Sequence, residues 1–139
     1  MLPSSHIILG IIFSTVLLLS GIPLWQALII FSAAVLIDVD HYFLYSYLRK
    51  DINPKNALLF YINEGKKYQN KKYQYSFLCI FHVFEVLLLL TILSFFSRIA
   101  LLILIGIIFH ICLDLFDILI FKKPYLKSPS IFFRKKVKI

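Results

Sequence analysis

The long apolar runs of this 139-residue chain contain no basic residue in their interiors, and charge of either sign is scarce: 16% charged residues stand against 60% hydrophobic ones. That ratio excludes a soluble globular protein and places the chain in the membrane class. Cysteine is scarce too. Cys79 and Cys112 both lie inside apolar runs and read as buried small hydrophobes, which excludes a disulfide framework. The segment 1–13 lacks the positive n-region of a signal peptide, and no small-residue cleavage site follows it, so it reads as a retained helix. Because ~20 apolar residues are needed to cross ~30 Å of hydrocarbon, the length allows four spans and no separate soluble domain.

The expected fold is therefore all-α, an integral membrane four-helix bundle forming one domain over 1–139, with spans at about 3–20, 24–48, 76–96 and 98–121. Pro3 suits the first turn of a helix, and Gly21, Ile22 and Pro23 end the first span in a short turn, so the first two helices form an antiparallel hairpin. Of the 15 Lys and Arg, seven lie in the 49–75 connection and seven in the 122–139 tail, leaving only Arg98 on the opposite side. The positive-inside rule then puts the connection and both termini in the cytoplasm of a multi-pass protein of the cell (inner) membrane. All eight tyrosines fall on that side, while Trp25 marks the other interface.

Within the connection, Asn53 and Pro54 resemble an N-cap and first helical residue, and the segment 57–62 is apolar up to Gly65, as expected of a short interfacial helix between the second and third spans. The basic run Lys66, Lys67, Lys71 and Lys72, and Arg134, Lys135, Lys136 and Lys138 in the tail, either attract anionic headgroups or simply fix topology. A net charge of +8 would suggest nucleic acid in a soluble protein, but here it flanks apolar runs, so membrane lipids are the expected partner and nucleic acid is not. A homo-oligomer is compatible with this reading.

Five of the seven acidic residues, Asp38, Asp40, Glu85, Asp114 and Asp117, fall inside spans, as do His41, His82 and His110. A charge at the bilayer centre costs at least ~2.5 kcal/mol, and no basic residue lies near enough within the spans to neutralise these acids, so cations or bound protons must. Depth supports a common site. At ~1.5 Å per residue, His41 lies ~10 Å inside the second span, His82 ~9 Å inside the third and Asp114 ~10 Å inside the fourth, with His6 shallower on the same side. Spacing supports it too: Asp38 with His41, His82 with Glu85, and Asp114 with Asp117 are three apart, and His110 with Asp114 four apart, all neighbours on a helix surface. Asp40 points away from Asp38 unless the helix is locally distorted, and so reads as a group orienting His41 or His6, or as a ligand to a second ion.

Histidine and carboxylate pairs facing a bundle core are the ligand pattern of di-metal carboxylate bundles. Mixed nitrogen and oxygen donors suit zinc, manganese or iron, and His6, Asp38, His41, His82, His110 and Asp114 are too many for one four-coordinate ion, so one or two divalent ions are expected.

At these residues the chain resembles the bacterial and archaeal membrane-bound metal-dependent hydrolases, the group that includes the LexA-regulated inner-membrane hydrolases. The matching elements are His6 near the N-terminus, Asp38-Val39-Asp40-His41 late in the second span, and Gly106 followed by His110 and Asp114 in a later one. Ile37 stands where a proline commonly precedes the first aspartate, and Phe81-His82-Val83-Phe84-Glu85 stands where many members carry His-Arg and Thr-His-Ser elements. The resemblance covers most of the chain and implies hydrolysis.

Hydrolysis of an amphiphile at the inner leaflet is the first expectation, with a spare carboxylate, Glu85, Asp117 or Asp40, as proton acceptor and Arg49 with the nearby lysines holding a phosphate. Phosphoester chemistry is preferred because two metals suit it. The same ligands would also serve a divalent-cation or proton transporter, although the polar groups occupy only the cytoplasmic half. A small membrane scaffold held together by its polar cluster is the third reading.

Overall fold

A computed structural model describes residues 3–69 and 80–121, and every element among them is helical. The order is α1 (Pro3–Leu19), α2 (Leu24–Leu36), α3 (Val39–Arg49), α4 (Pro54–Gln69), a single 3-10 turn (Ile80–His82), α5 (Phe84–Ser94) and α6 (Arg98–Phe121). The first residues of the expected third span, 76–79 with Cys79, the basic residues Lys71 and Lys72, and the 122–139 tail lie outside the described residues.

Two stretches, Leu24–Arg49 and Arg98–Ile120, are long and apolar enough to cross a membrane, which points to a membrane location; Ser4–Leu19 and Phe84–Ser94 are apolar but shorter. Outward-facing side chains are apolar as well. Leu19, Leu24, Phe95 and Phe96 are among the exposed ones, at the end of the bundle where α1 turns into α2 and α5 into α6. Gly21, with φ 89°, makes the first of these turns in the left-handed conformation that a side chain would strain.

The core is the α2–α6 contact, with α1 packed on α2 and α5 on α6. Gly106 makes the contact close. A Cβ there would collide with the Ile30 carbonyl oxygen and stand 2.8 Å from the Ala33 Cβ, so no other residue fits without separating the two helices. Ala27, Ile30 and Ala34 form the buried face of α2, and Leu102, Leu104 and Ile107 are buried on α6. Phe13 of α1 stacks on Phe109 of α6 with centroids 4.1 Å apart, which ties the first helix to the same core.

Two expected helices differ from the sequence reading. The second span is interrupted: α2 ends at Leu36, Ile37 and Asp38 form a turn, and α3 resumes at Val39. Asp38 occupies the N-cap position of α3 but caps nothing with its side chain, which is turned to the histidines instead. The third span does not begin as an α-helix at His82. Val83, fully buried and extended at φ −88° and ψ 147°, separates the 3-10 turn holding His82 from α5. The Phe81 N–H donates to Asp40 at 3.1 Å instead of joining a helix, and this bond turns the segment toward α3. His82 and Glu85 are therefore not the one-face helical pair their spacing suggested.

The connection after α3 is pinned by Asp51. Lys50 reverses the chain with φ 54°, and Asp51 accepts from the Asn53 N–H at 2.9 Å, the Asn56 side-chain amide at 2.8 Å and the Tyr45 hydroxyl. Asn53 accepts from the Lys55 N–H at 3.0 Å, the N-cap bond expected of it, and α4 runs past Gly65 to Gln69. The Tyr45 hydroxyl first, then the donors of Asn53 and Asn56, hold the Asp51 carboxyl below its ordinary value of 3.8. A depressed carboxylate stabilises the fold above its unfolded pKa, and that contribution disappears as pH falls through the folded value. The start of α4 is accordingly expected to gain hydrogen exchange below pH 3.8. Asp51→Asn should show the faster exchange already at neutral pH; unchanged protection in that variant would contradict this role.

Candidate metal centre

Four segments meet at the end of the bundle away from the Gly21 turn. α1 brings His6, the α2–α3 break brings Asp38 with Asp40 and His41 beyond it, the 3-10 turn brings His82, and α6 brings His110 and Asp114. Asp38 is the hub. Its Oδ1 lies 3.4 Å from His41 Nε2, 3.6 Å from His82 Nε2 and 3.4 Å from His110 Nε2, and its Oδ2 lies 3.9 Å from His6 Nε2. Asp114 spans the other side, with Oδ1 3.3 Å from His6 Nε2 and Oδ2 3.5 Å from His110 Nε2.

Backbone and carboxylate contacts fix which imidazole nitrogens face the centre. His110 Nδ1 lies 2.8 Å from the Ala34 carbonyl, which can only accept, so Nδ1 carries a hydrogen and Nε2 is the nitrogen directed inward. Ala34 is in the last turn of α2, where helix geometry leaves carbonyls without an i+4 partner. The close approach at Gly106 brings that carbonyl within reach. His82 Nδ1 faces Asp40 Oδ2 at 3.4 Å, which aims its Nε2 at Asp38. Asp40 thus contacts His82 instead of the His41 or His6 expected of an orienting group, and it also stands with His41 and His82 among the converging donors, as expected of a ligand to a second ion.

The consequence is electrostatic. His82 Nε2 and His110 Nε2 stand 3.3 Å apart and face a common space that Asp38 Oδ1 also faces. Three acceptors at this separation repel one another unless a cation or proton lies among them. His6 adds to the imbalance: it is buried and stacked on His110 at 4.1 Å, and neither of its nitrogens makes a geometrically acceptable hydrogen bond, although Asp114 is near. Donors held 2.0–2.2 Å from a tetrahedral ion lie about 3.3–3.6 Å from one another, and the contacts of Asp38 Oδ1, His82 Nε2 and His110 Nε2 fall in that range.

Converging donors form three overlapping groups: His6, His110 and Asp114; Asp38, His82 and His110; and Asp40, His41 and His82. These buried histidines and aspartates can hold a metal ion. One imidazole nitrogen has one lone pair, so His110 Nε2 serves only one ion at a time, whereas Asp38 and Asp114 each turn two oxygens to different histidines.

The remaining sequence candidates lie outside these groups. Glu85 is in the first turn of α5, half-buried, and Asp117 is buried on α6 three residues past Asp114. Arg49, at the end of α3, lies over the Phe60 ring at 4.8 Å, eight residues or about 12 Å along the helix from His41. Two participants have no mark in the sequence reading. Tyr61 of α4 sets its ring against His41 and donates its hydroxyl to the His41 carbonyl at 2.8 Å, and an apolar interfacial segment gave no reason to single it out. The Ala34 carbonyl is a backbone group that any residue carries; only the small residues Ala33, Ala34 and Gly106 hinted at a close crossing.

Compared with known proteins, the chain matches no family model, no curated protein and no solved structure.

Proposed function

We propose that this chain is a four-span protein of the inner membrane that holds one or two divalent ions, zinc, manganese or iron, and hydrolyses a phosphate-bearing amphiphile of the cytoplasmic leaflet. The observation that carries the reading is the convergence of Asp38 Oδ1 with the Nε2 atoms of His82 and His110, 3.3–3.6 Å from one another, inside an apolar bundle. The hydrolase resemblance of His6, the 38–41 element and the 106–114 element adds the reaction class.

In this reading α1 and α5 span beside the two long helices, and the basic residues place the 49–75 connection and both termini in the cytoplasm. His82, His110 and Asp38, with His41, hold one ion; His6 and Asp114, sharing the second oxygen of Asp38, hold another. A divalent ion supplies polarisation of a phosphoryl oxygen and a lowered pKa for water. The protein supplies the rest. Asp40 and the Ala34 carbonyl keep two imidazoles in the ligating tautomer, Glu85 or Asp117 accepts a proton, and Arg49 contacts the anionic head at the interface. Asp38 and His41, with side chains 21% and 19% exposed against 0–3% for His6, His82 and His110, are the ligands a substrate can reach.

The test is phosphate release from phosphatidic acid and from an isoprenoid phosphate in mixed micelles, with Asp38→Asn beside wild type. Wild type is expected to turn over one of the two, and the variant to lose more than the ~10–100-fold that removal of an outer-shell partner costs. Equal rates in the two proteins would remove hydrolysis at this site.

A further inference from the structure

Outside the cluster, an open apolar groove of about 670 Å³ runs along the α2–α6 contact. Leu28, Ser32 and Leu36 form one wall and Ile99, Ile103 and Ile107 the other. Each set repeats every four residues, so each is a straight stripe about 12 Å long on its helix, close to the ~15 Å of hydrocarbon in one leaflet. Ser32 and Ala33 are small, and the Gly106 crossing draws the helices together behind them, so the groove has a floor.

Its lower end is lined by neighbours in sequence of the metal-centre residues. Ile37 and Val39, which flank Asp38, belong to its lining, as does Phe81, which precedes His82; Ile107 is one turn before His110. Asp38 and His41, the two reachable ligands, are therefore at the end of an apolar track that runs away from them toward the Gly21 end of the bundle. A cytoplasmic-leaflet lipid has the same polarity, head outward and chain toward the midplane.

We infer that the α2–α6 groove seats a hydrocarbon chain of an anionic amphiphile, such as an alkyl or isoprenyl phosphate, with its head at Asp38 and His41. The inference rests on the reading of the cluster as a site for an amphiphile's head. Specificity then lies in α2 and α6, at positions that carry no ligand. Ser32 is the narrow control point, because it is the smallest residue of its stripe and stands between Leu28 and Leu36.

The test uses hexadecyl phosphate with a diazirine at the chain end, photolysed with the full chain in detergent, and mapping of the labelled residues. Label is expected on 28–37 and 99–107. It should be competed by unlabelled hexadecyl phosphate and not by inorganic phosphate. Ser32→Trp, and independently Ile103→Trp from the facing wall, should weaken labelling at least ~10-fold, the loss expected when two or so methylenes find no groove. Leu88→Trp, on the exposed face of α5, should leave it unchanged. Label spread evenly onto Leu88 and Leu115, or insensitive to both groove variants, would overturn the inference. Labelling needs no turnover, so groove labelling alongside equal phosphate release by wild type and Asp38→Asn would sink the hydrolase reading while leaving the chain site standing.

Discussion

His110→Ala is expected to lower metal affinity by well over ~100-fold, more than any substitution outside the ligand set. The side chain is fully buried, its Nε2 faces Asp38, Asp114 and His82 together, and its Nδ1 is anchored on Ala34, so no neighbouring donor can replace it. Asp38→Ala should match it, since Asp38 Oδ1 is the atom on which three imidazoles converge. Asp40→Asn belongs to a smaller class. It leaves the Phe81 and His82 contacts sterically intact but replaces a carboxylate by an amide, and the expected loss is the ~10–100-fold of an orienting partner. Titration of detergent-solubilised protein with zinc or manganese in competition with a chromophoric chelator measures all three. Asp40→Asn losing as much as His110→Ala would make Asp40 a ligand, and the assignment of His82 Nδ1 to it would fail.

Gly106→Leu is the second large effect, and it acts on the fold and the site together. A Cβ alone already strikes the Ile30 carbonyl oxygen, which is backbone inside α2 and cannot rotate away, and three further carbons have nowhere to go. Overpacking of a core ordinarily costs ~1–3 kcal/mol, and a rigid backbone obstacle puts this substitution at or above the upper end. Separating α2 from α6 also pulls the Ala34 carbonyl from His110, so metal affinity should fall with thermal stability. Gly10→Ala is the control. Its Cβ would meet the Phe31 ring at 3.3 Å, a side chain that can shift, and the helix gains up to ~1 kcal/mol from alanine, so little net change is expected. A Gly106→Leu protein that melts and binds metal like wild type would refute the close crossing as the support of the centre.

The outline of the helices was readable because apolar run length and punctuation carry it. Pro3, the Gly21–Pro23 turn, Asn53 with Pro54, and Arg98 mark ends that the structure also has. The pairing of Asp38 with His41 and of His110 with Asp114 followed from local spacing, which survives because each pair is contained in one short segment. What spacing missed involves breaks. No glycine or proline marks the turn at Ile37 and Asp38 that ends α2, and the polar residues 38–41 read as ligands within one helix, so the turn could not be placed although it directs Asp38 inward. His82 and Glu85 looked like a helical pair for the same reason, and the extended Val83 between them is imposed by tertiary contacts: its own burial and the Phe81 bond to Asp40. Asp40 was expected to orient a histidine, but its partner 42 residues away could not be chosen from one-dimensional spacing.

Whether a metal ion sits among these nitrogens and oxygens is read by X-ray absorption of the wild-type protein, purified without chelator and loaded with zinc. Bound zinc is expected with nearest neighbours that include imidazole nitrogens at about 2.0–2.1 Å, and these should be lost in His110→Ala. Zinc no more abundant in wild type than in His110→Ala, or nearest neighbours without imidazole, would contradict a metal site there.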